Sequence, residues 1–278
     1  MTKPVPHFVI AGTQKAGTTW LKQQLARHPD VFMARKQLHF FDRNFHKGIG
    51  WYKSWFRSAA PEKICGEKTT EYFDIPTAAP FAQYVANFFP QLKVIIILRD
   101  PVTRALSALK HMVNSGLEKL PTDPDRVLFD DKARPSLRSF RYIERGFYAN
   151  QLKALYRNIP ADQIMVLVFE EDIVDNPSAC LRRVCDFIGV PNIRFHGYDR
   201  PVNRLRLSPL AIALSYQMYD VPYARSVIRR ADRVLGLNPW KPEFKLKTVA
   251  RLRSIFADHN AELFQLLGRE ITAWGHPR

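Results

Sequence analysis

Apolar positions along this chain follow two rhythms. Phe8-Val-Ile-Ala11 and Val94–Leu98 are unbroken apolar runs, the pattern of strands buried on both faces of a sheet. Ile164–Phe169 reads the same way, and Val31-Phe32-Met33 reads as a shorter strand. Elsewhere the period lengthens. Trp20, Leu21 and Leu25 share one face of a helix expected from about Thr19 to His28, stopped by Pro29. Further helices are expected from about Ala78 to Phe89, from about Val102 onward, from about Ser139 to Tyr156, and from Asn176-Pro177 to Ile188. Two late helical stretches, about 210–235 and 248–267, close the chain. The segment Gly66–Phe73 reads as a loop or strand end, and 191–209 shows little regular pattern. Residues 115–137 are polar and Pro-rich, as expected of a mobile insertion.

Strand followed by helix, four times over, argues for a parallel sheet covered on both faces. The expected fold class is α/β: a single P-loop-like domain over 1–278, three-layered, with a central parallel sheet flanked by helices. Ligands of such folds bind beyond the carboxyl ends of the strands, where Lys15 and Arg99 both fall.

The first strand ends in Gly12-Thr-Gln-Lys15-Ala16-Gly17-Thr18-Thr19-Trp20, and a helical pattern opens at once. Strand, tight turn and helix amino terminus together present free backbone N–H groups to phosphate or sulfate oxygens. The loop departs from the nucleotide-triphosphatase motif: Thr18 stands where that motif has lysine, and the loop's own lysine is Lys15. It also lacks the three close glycines of a dinucleotide fingerprint. A kinase or other nucleotide phosphotransferase is therefore disfavoured, the more so because Arg99 stands after Leu98 where a magnesium-binding aspartate is wanted. Arg99 closes a buried strand and Ser107 lies two turns into the next helix. Arginine's fork and a serine hydroxyl suit one phosphate, whereas pairing of Arg99 with Asp100 or Glu67 is the structural alternative.

Charge narrows the partners. With 42 Lys plus Arg against 26 Asp plus Glu, the formal charge of the 278 residues is +16, which recruits anions. The basic residues are scattered, with no zinc-finger spacing or basic arm, so nucleic acid is the weaker partner. Cys65, Cys180 and Cys185 have neither disulfide-framework nor metal-knuckle spacing, and a reducing compartment fits them. No metal is expected. Met-Thr-Lys-Pro-Val-Pro leads straight into the first strand, leaving no room for a signal peptide, and the apolar runs are too short to span a bilayer. The expectation is a soluble, cytoplasmic protein without an integral membrane segment, unless the chain was cut from a longer parent. A homo-oligomer stays open.

Taken together, these motifs resemble the sulfotransferases that use 3′-phosphoadenosine 5′-phosphosulfate (PAPS), most closely the branch of the heparan sulfate N- and 3-O-sulfotransferases and their bacterial relatives. The resemblance rests on the first loop, on Leu98-Arg99-Asp100-Pro101 with Arg104 and Ser107, on His39-Phe40-Phe41-Asp42, on Gly66-Glu-Lys-Thr-Thr-Glu-Tyr72, on Arg145-Gly146-Phe147-Tyr148, and on Asn260 through Leu267-Gly268 and Trp274. It thins over 112–135 and 205–245. It implies a 5′-phosphosulfate held by Lys15, Ala16, Gly17, Thr18, Thr19 and Trp20, and a 3′-phosphate held by Arg99 and Ser107. Tyr148 and Arg145 are further cofactor-site candidates, with a core tyrosine and a surface arginine as the alternative. It also implies transfer of a sulfuryl group to a hydroxyl, or less readily an amine, of a glycan, lipid or carrier-bound acceptor. Lys15 and Lys68 then stabilise charge on the leaving oxygen and the sulfuryl group, and the product is adenosine 3′,5′-bisphosphate (PAP).

One residue departs from the family's pattern. Two positions before His39 the glycosaminoglycan enzymes carry a glutamate taken to be the base; this chain carries Gln37. A neutral amide cannot take the proton. Three explanations stay open: an engineered glutamate-to-glutamine exchange, a natural enzyme using His39, Asp42 or Glu71, or an acceptor that needs little help. A non-catalytic binder of PAP or a sulfated ligand is the competing class. Trp51, Tyr52, Trp55 and Phe56 either line an acceptor cleft or belong to the core.

Overall fold

The computed structural model describes residues 5–121, 123–129, 140–197 and 207–275. They group into two compact units, one drawn from Met1–Asp100, Phe147–Val202 and His259–Arg278, the other from Pro101–Gly146 and Asn203–Asp258.

The first unit holds one five-stranded sheet in the order β2-β3-β1-β4-β5. The strands are β1 (Phe8–Gly12), β2 (Val31–Met33), β3 (Ile64–Lys68), β4 (Lys93–Leu98) and β5 (Ile164–Val168), and every pairing is parallel. Side chains alternate across the sheet. Val9, Ala11, Val94, Ile96 and Leu98 enter one core with Phe81, Ala82 and Val85 of α3 (Ile75–Phe88) and Leu152 and Leu155 of α6 (Tyr148–Tyr156). Phe8, Ile10, Ile95 and Ile97 enter the other, with Leu21 and Leu25 of α1 (Thr18–Leu25) and Leu181, Val184 and Cys185 of α7 (Pro177–Ile188). Both faces are covered, which is why β1 and β4 read as unbroken apolar runs. The thiols of Cys65, Cys180 and Cys185 are buried, and burial pushes them up to about 11, about 12 and about 11 respectively.

Two sequence expectations change, and one open reading is decided. Gly66–Phe73 is a strand end: β3 runs through Lys68, and a 3₁₀ turn follows at Thr70–Phe73. Glu67 and Lys68 interrupt the apolar pattern, yet Glu67 is fully buried between other strands. Only glycine fits at Gly66, where a Cβ would lie 2.2 Å from Cζ of Phe8 on the neighbouring strand. The helix expected from Ser139 begins instead at Tyr148, after a 3₁₀ turn at Glu144–Gly146, because Phe147 leaves helical dihedrals (φ −82°, ψ 60°); Ser139 lies outside the described residues. The helix expected over 210–235 is two, α8 (Pro209–Gln217) and α9 (Ala224–Leu235), separated by a turn that contains Pro222 and Tyr223 at φ 63°.

The aromatic segment belongs mostly to the core. It forms α2 (Gly48–Ser54) and the turn after it; Tyr52 and Phe56 are fully buried, and the Tyr52 ring stacks on Phe40 with centroids 4.3 Å apart.

The second unit is helical. Its elements are α4 (Pro101–Asn114), α5 (Pro124–Phe129), α8, α9 and the first part of α10 (Leu246–Leu267). Ser208 caps α8 by accepting from the Ala211 N–H at 3.2 Å, and its own N–H donates to Asp232 of α9 at 3.2 Å. Of the insertion expected at 115–137, residues 115–121 follow α4 and 124–129 form α5, while 122 and 130–137 lie outside the described residues. Residues 191–197 carry no regular structure, and 198–206 are likewise outside.

Candidate active site

Parallel pairing of β3, β1 and β4 puts three neighbouring strand tips side by side. Gly12 ends the central strand, Lys68 ends one neighbour, and Arg99 follows the other. Beyond Gly12 the Thr13 N–H donates to the Ile97 carbonyl at 3.0 Å, and the Ala16 N–H donates to the Thr13 carbonyl at 3.2 Å, closing a tight turn. Lys15 (φ 72°) and Gly17 (φ 86°) both sit in the left-handed region. Glycine is needed at the second, since a Cβ there would stand 2.9 Å from Ile173 Cδ1. α1 then starts with no acidic residue in its first turn and no side-chain cap, so its leading N–H groups have no partner within the helix. Ala16, Thr18 and Trp20 are buried; Thr19 is half-buried.

Arg99 is locked to this turn. Its Nη1 donates to the Lys15 carbonyl at 2.8 Å, and its guanidinium lies 4.7 Å from the centre of the Phe169 ring. It pairs with Glu170, Nε 3.9 Å from Oε1, and the Asp100 charge also acts on it. Glu170 is itself held by the Asp100 N–H at 3.2 Å and the Trp274 indole at 3.0 Å. The buried Arg99 Nε has no hydrogen-bond partner among the described residues. Tyr148 is 1 % exposed, and its hydroxyl donates to the Arg99 carbonyl at 2.8 Å, bracing the backbone of that arginine. Sequence reasoning missed Glu170 and Phe169, which follow β5 without any motif of their own.

On the other side Lys68 Nζ stands 3.4 Å from Thr19 Oγ1. Burial lowers the Lys68 ammonium from its ordinary value; the charges of Lys22 and Lys15 lower it further, opposed by Glu71. Lys15 is lowered by burial and then by Arg99, and Lys22 by burial, opposed by Glu67. Here cations crowd together with too few counter-charges, an arrangement that suits a bound polyanion. The sign gives a test. Between a lowered folded pKa and the ordinary one the unfolded chain binds more protons, so stability rises with pH across that window. Lys68→Met is expected to raise the melting temperature of the ligand-free protein at pH 7, with the gain shrinking as pH climbs toward the ordinary lysine value of 10.5. Thermal melts across pH check this, and an unchanged or lower melting temperature at pH 7 counts against it.

The segment carrying Gln37 and His39 is pinned by Glu67. This fully buried carboxylate accepts from Tyr52 OH (2.7 Å), Tyr72 OH (3.0 Å), Thr69 Oγ1 (2.9 Å) and the Leu38 N–H (3.4 Å). Burial nevertheless pushes Glu67 above the usual carboxylate range. Tyr72 OH also accepts from the Phe40 N–H at 2.7 Å, and Thr69 Oγ1 from the His39 N–H at 3.3 Å. Gln37 Oε1 accepts from the Thr70 N–H at 3.4 Å. His39 Nδ1 lies 2.9 Å from Asp42 Oδ2 and 4.0 Å from Glu71 Oε2.

The structure thus brings Lys15, the turn, Thr19, Lys68 and Arg99 together, and joins Gln37 and His39 to the Thr69–Glu71 stretch after β3. Ser107 is half-buried on α4, in the second unit. In the same unit Arg145 belongs to the 3₁₀ turn, and Arg104 is fully buried, donating to the Tyr142 carbonyl. Among the described residues no three His, Cys, Asp or Glu side chains are placed to share a metal ion, and no helix is long and apolar enough to cross a membrane.

Comparison with known proteins gives the family. The sulfotransferase domain family matches residues 5–264. The chain belongs to that family. The mouse heparan sulfate glucosamine 3-O-sulfotransferase 3B1 is 35% identical over 195 residues, covering 69% of this chain and 48% of that protein. The human protein of the same name is 28% identical over 277 residues, covering 97% and 65%. This sulfotransferase chain therefore spans about half the length of the mouse relative. A sulfotransferase of known structure from Alicyclobacillus acidocaldarius shares the fold, with a TM-score of 0.72 at 24% identity, covering 98% of this chain and 100% of the other.

Proposed function

We propose that this protein transfers a sulfuryl group from PAPS to a hydroxyl of an anionic glycan. One observation carries the reading: Lys15, Lys22, Lys68 and Arg99 converge around a tight turn at three adjacent strand tips, and burial holds each of them below its ordinary pKa. A donor with phosphate at both ends of an adenosine relieves that crowding. The residues fit such a group, since α1 opens with no side-chain cap and no acidic residue in its first turn, and the buried Arg99 Nε has no hydrogen-bond partner among the described residues.

PAPS supplies a sulfur with a good leaving group, the 5′-phosphate. The turn N–H groups and Lys15 hold the phosphosulfate and stabilise charge growing on the bridging oxygen. Lys68, with Thr19 beside it, neutralises the sulfuryl oxygens. Arg99 grips the 3′-phosphate, its plane fixed by Phe169 and its backbone by Tyr148. The family match over 5–264 draws on both compact units, so we read them as one sulfotransferase domain. A glycan acceptor is supported by the formal charge of +16 and by the names of the 3-O-sulfotransferase relatives.

Calorimetry with adenosine 3′,5′-bisphosphate tests the donor site. Micromolar or tighter binding that is the same with and without magnesium is expected. No detectable binding overturns the reading. Labelled sulfate transfer to heparan sulfate, to a hydroxylated lipid and to a carrier-bound hydroxyl tests the acceptor, with the glycan expected to lead.

A further inference from the structure

Gln37 leaves the site without a base at the position where the family's resemblance places one. We propose that Glu71 is the general base of this enzyme, a step that rests on the sulfotransferase reading above. Gln37 and Glu71 come from different segments to one place: the Gln37 amide oxygen accepts from the N–H of Thr70, the residue just before Glu71. The Glu71 carboxylate then faces two ways. Its Oε2 accepts from Thr70 Oγ1 at 3.1 Å and stands 4.0 Å from His39 Nδ1. Its charge also acts on Lys68, the cation assigned to the sulfuryl group. Oε1 makes no hydrogen bond among the described residues, so one oxygen is held and the other is available, as proton abstraction requires.

The neighbouring candidates are worse placed. The Asp42 side chain is 4 % exposed, lies 2.9 Å from His39 Nδ1 and 3.4 Å from Arg43 Nε, and is too enclosed to meet an acceptor. His39 turns the nitrogen facing Glu71 toward Asp42, so on that edge its ring atom is already engaged. His39 and Asp42 then act as positioning residues, with Thr69 fixing the His39 backbone. The charged groups that face this carboxylate are Lys68, on which its charge acts, and His39.

The step balances. The acceptor O–H bond breaks and its proton goes to Glu71 Oε1. The freed electron pair forms the new S–O bond, the bond from sulfur to the bridging oxygen breaks, and that pair leaves on the 5′-phosphate of PAP. Solvent later takes the proton from Glu71.

The test follows PAP formation from PAPS, with heparan sulfate and, separately, water alone as acceptor, together with calorimetric PAP binding. Glu71→Gln is expected to lower kcat by ~10²-fold or more while PAP affinity stays within about threefold of the unaltered protein or tightens, since a carboxylate near Lys68 is removed. Adding Gln37→Glu to that variant is expected to restore at least tenfold of the loss, which a merely structural role for Glu71 would not allow. Turnover of Glu71→Gln within about twofold of the unaltered protein overturns the assignment. So does a loss of PAP affinity in that variant, or a ~10²-fold gain from Gln37→Glu alone. An unaltered protein that binds PAP but forms none from PAPS also overturns it. If the unaltered protein fails to bind PAP at all, the sulfotransferase reading itself falls.

Discussion

Arg99→Ala is expected to weaken binding of adenosine 3′,5′-bisphosphate by ~10²–10³-fold, the usual penalty for deleting one partner of a desolvated, hydrogen-bonded charge pair. Two losses combine. The phosphate loses a forked cation already fixed in plane against Phe169. The turn also loses its brace, because Arg99 Nη1 is what holds the Lys15 carbonyl at 2.8 Å. Arg99→Lys is expected to recover little, since one ammonium cannot reach the Lys15 carbonyl and grip a phosphate with the same geometry. Calorimetry on both variants, with circular dichroism to confirm folding, measures this. A loss below about threefold for Arg99→Ala would remove the arginine from the site.

Glu67→Ala carries the second large effect, on stability. It would strip the acceptor from Tyr52, Tyr72, Thr69 and the Leu38 N–H in the interior of the protein. Each donor left unsatisfied costs about 1–3 kcal/mol, and with partial relaxation a total of about 4 kcal/mol is reasonable. At ~2–4 °C per kcal/mol, the melting temperature should fall by roughly 8–16 °C. Glu67→Gln keeps an acceptor oxygen and the shape, and should fall about half as far. Differential scanning calorimetry reads both. A drop under about 3 °C for Glu67→Ala would show that the four donors find other partners. This carboxylate also ties β3 to the Gln37–His39 segment, so any Glu67 variant that folds should turn over more slowly than it binds PAP.

Much of the fold was legible because the interior strands are uninterrupted. The unbroken run Lys93–Leu98 ends where β4 ends, and Asn176-Pro177 opens α7 as expected. β3 was the strand hardest to see, since its buried Glu67 looks like a loop residue until its four donors are known. Tyr148 was legible as a motif position, whereas the meeting of its hydroxyl with the Arg99 carbonyl was not, since a motif does not say which way a side chain points. The broken helix at 218–223 turned on Tyr223, whose left-handed φ no apolar period announces. Glu170 lay beyond any motif, because it meets Arg99 across two strands distant in the chain.

Sequence alone determined the parallel three-layer core, through the length and continuity of its apolar runs, and the glycine-bounded turn between the first strand and helix. It also determined that position 37 carries an amide that cannot take a proton. Tertiary structure decided how those pieces meet. Strand order β2-β3-β1-β4-β5 set Gly12, Lys68 and Arg99 at neighbouring tips, and the bend after β3 brought the Thr70 N–H, one residue before Glu71, to the Gln37 amide. Periodicity records which face of an element is buried, whereas the approach of charged groups from separate strands depends on pairing order and loop path, which no local pattern encodes.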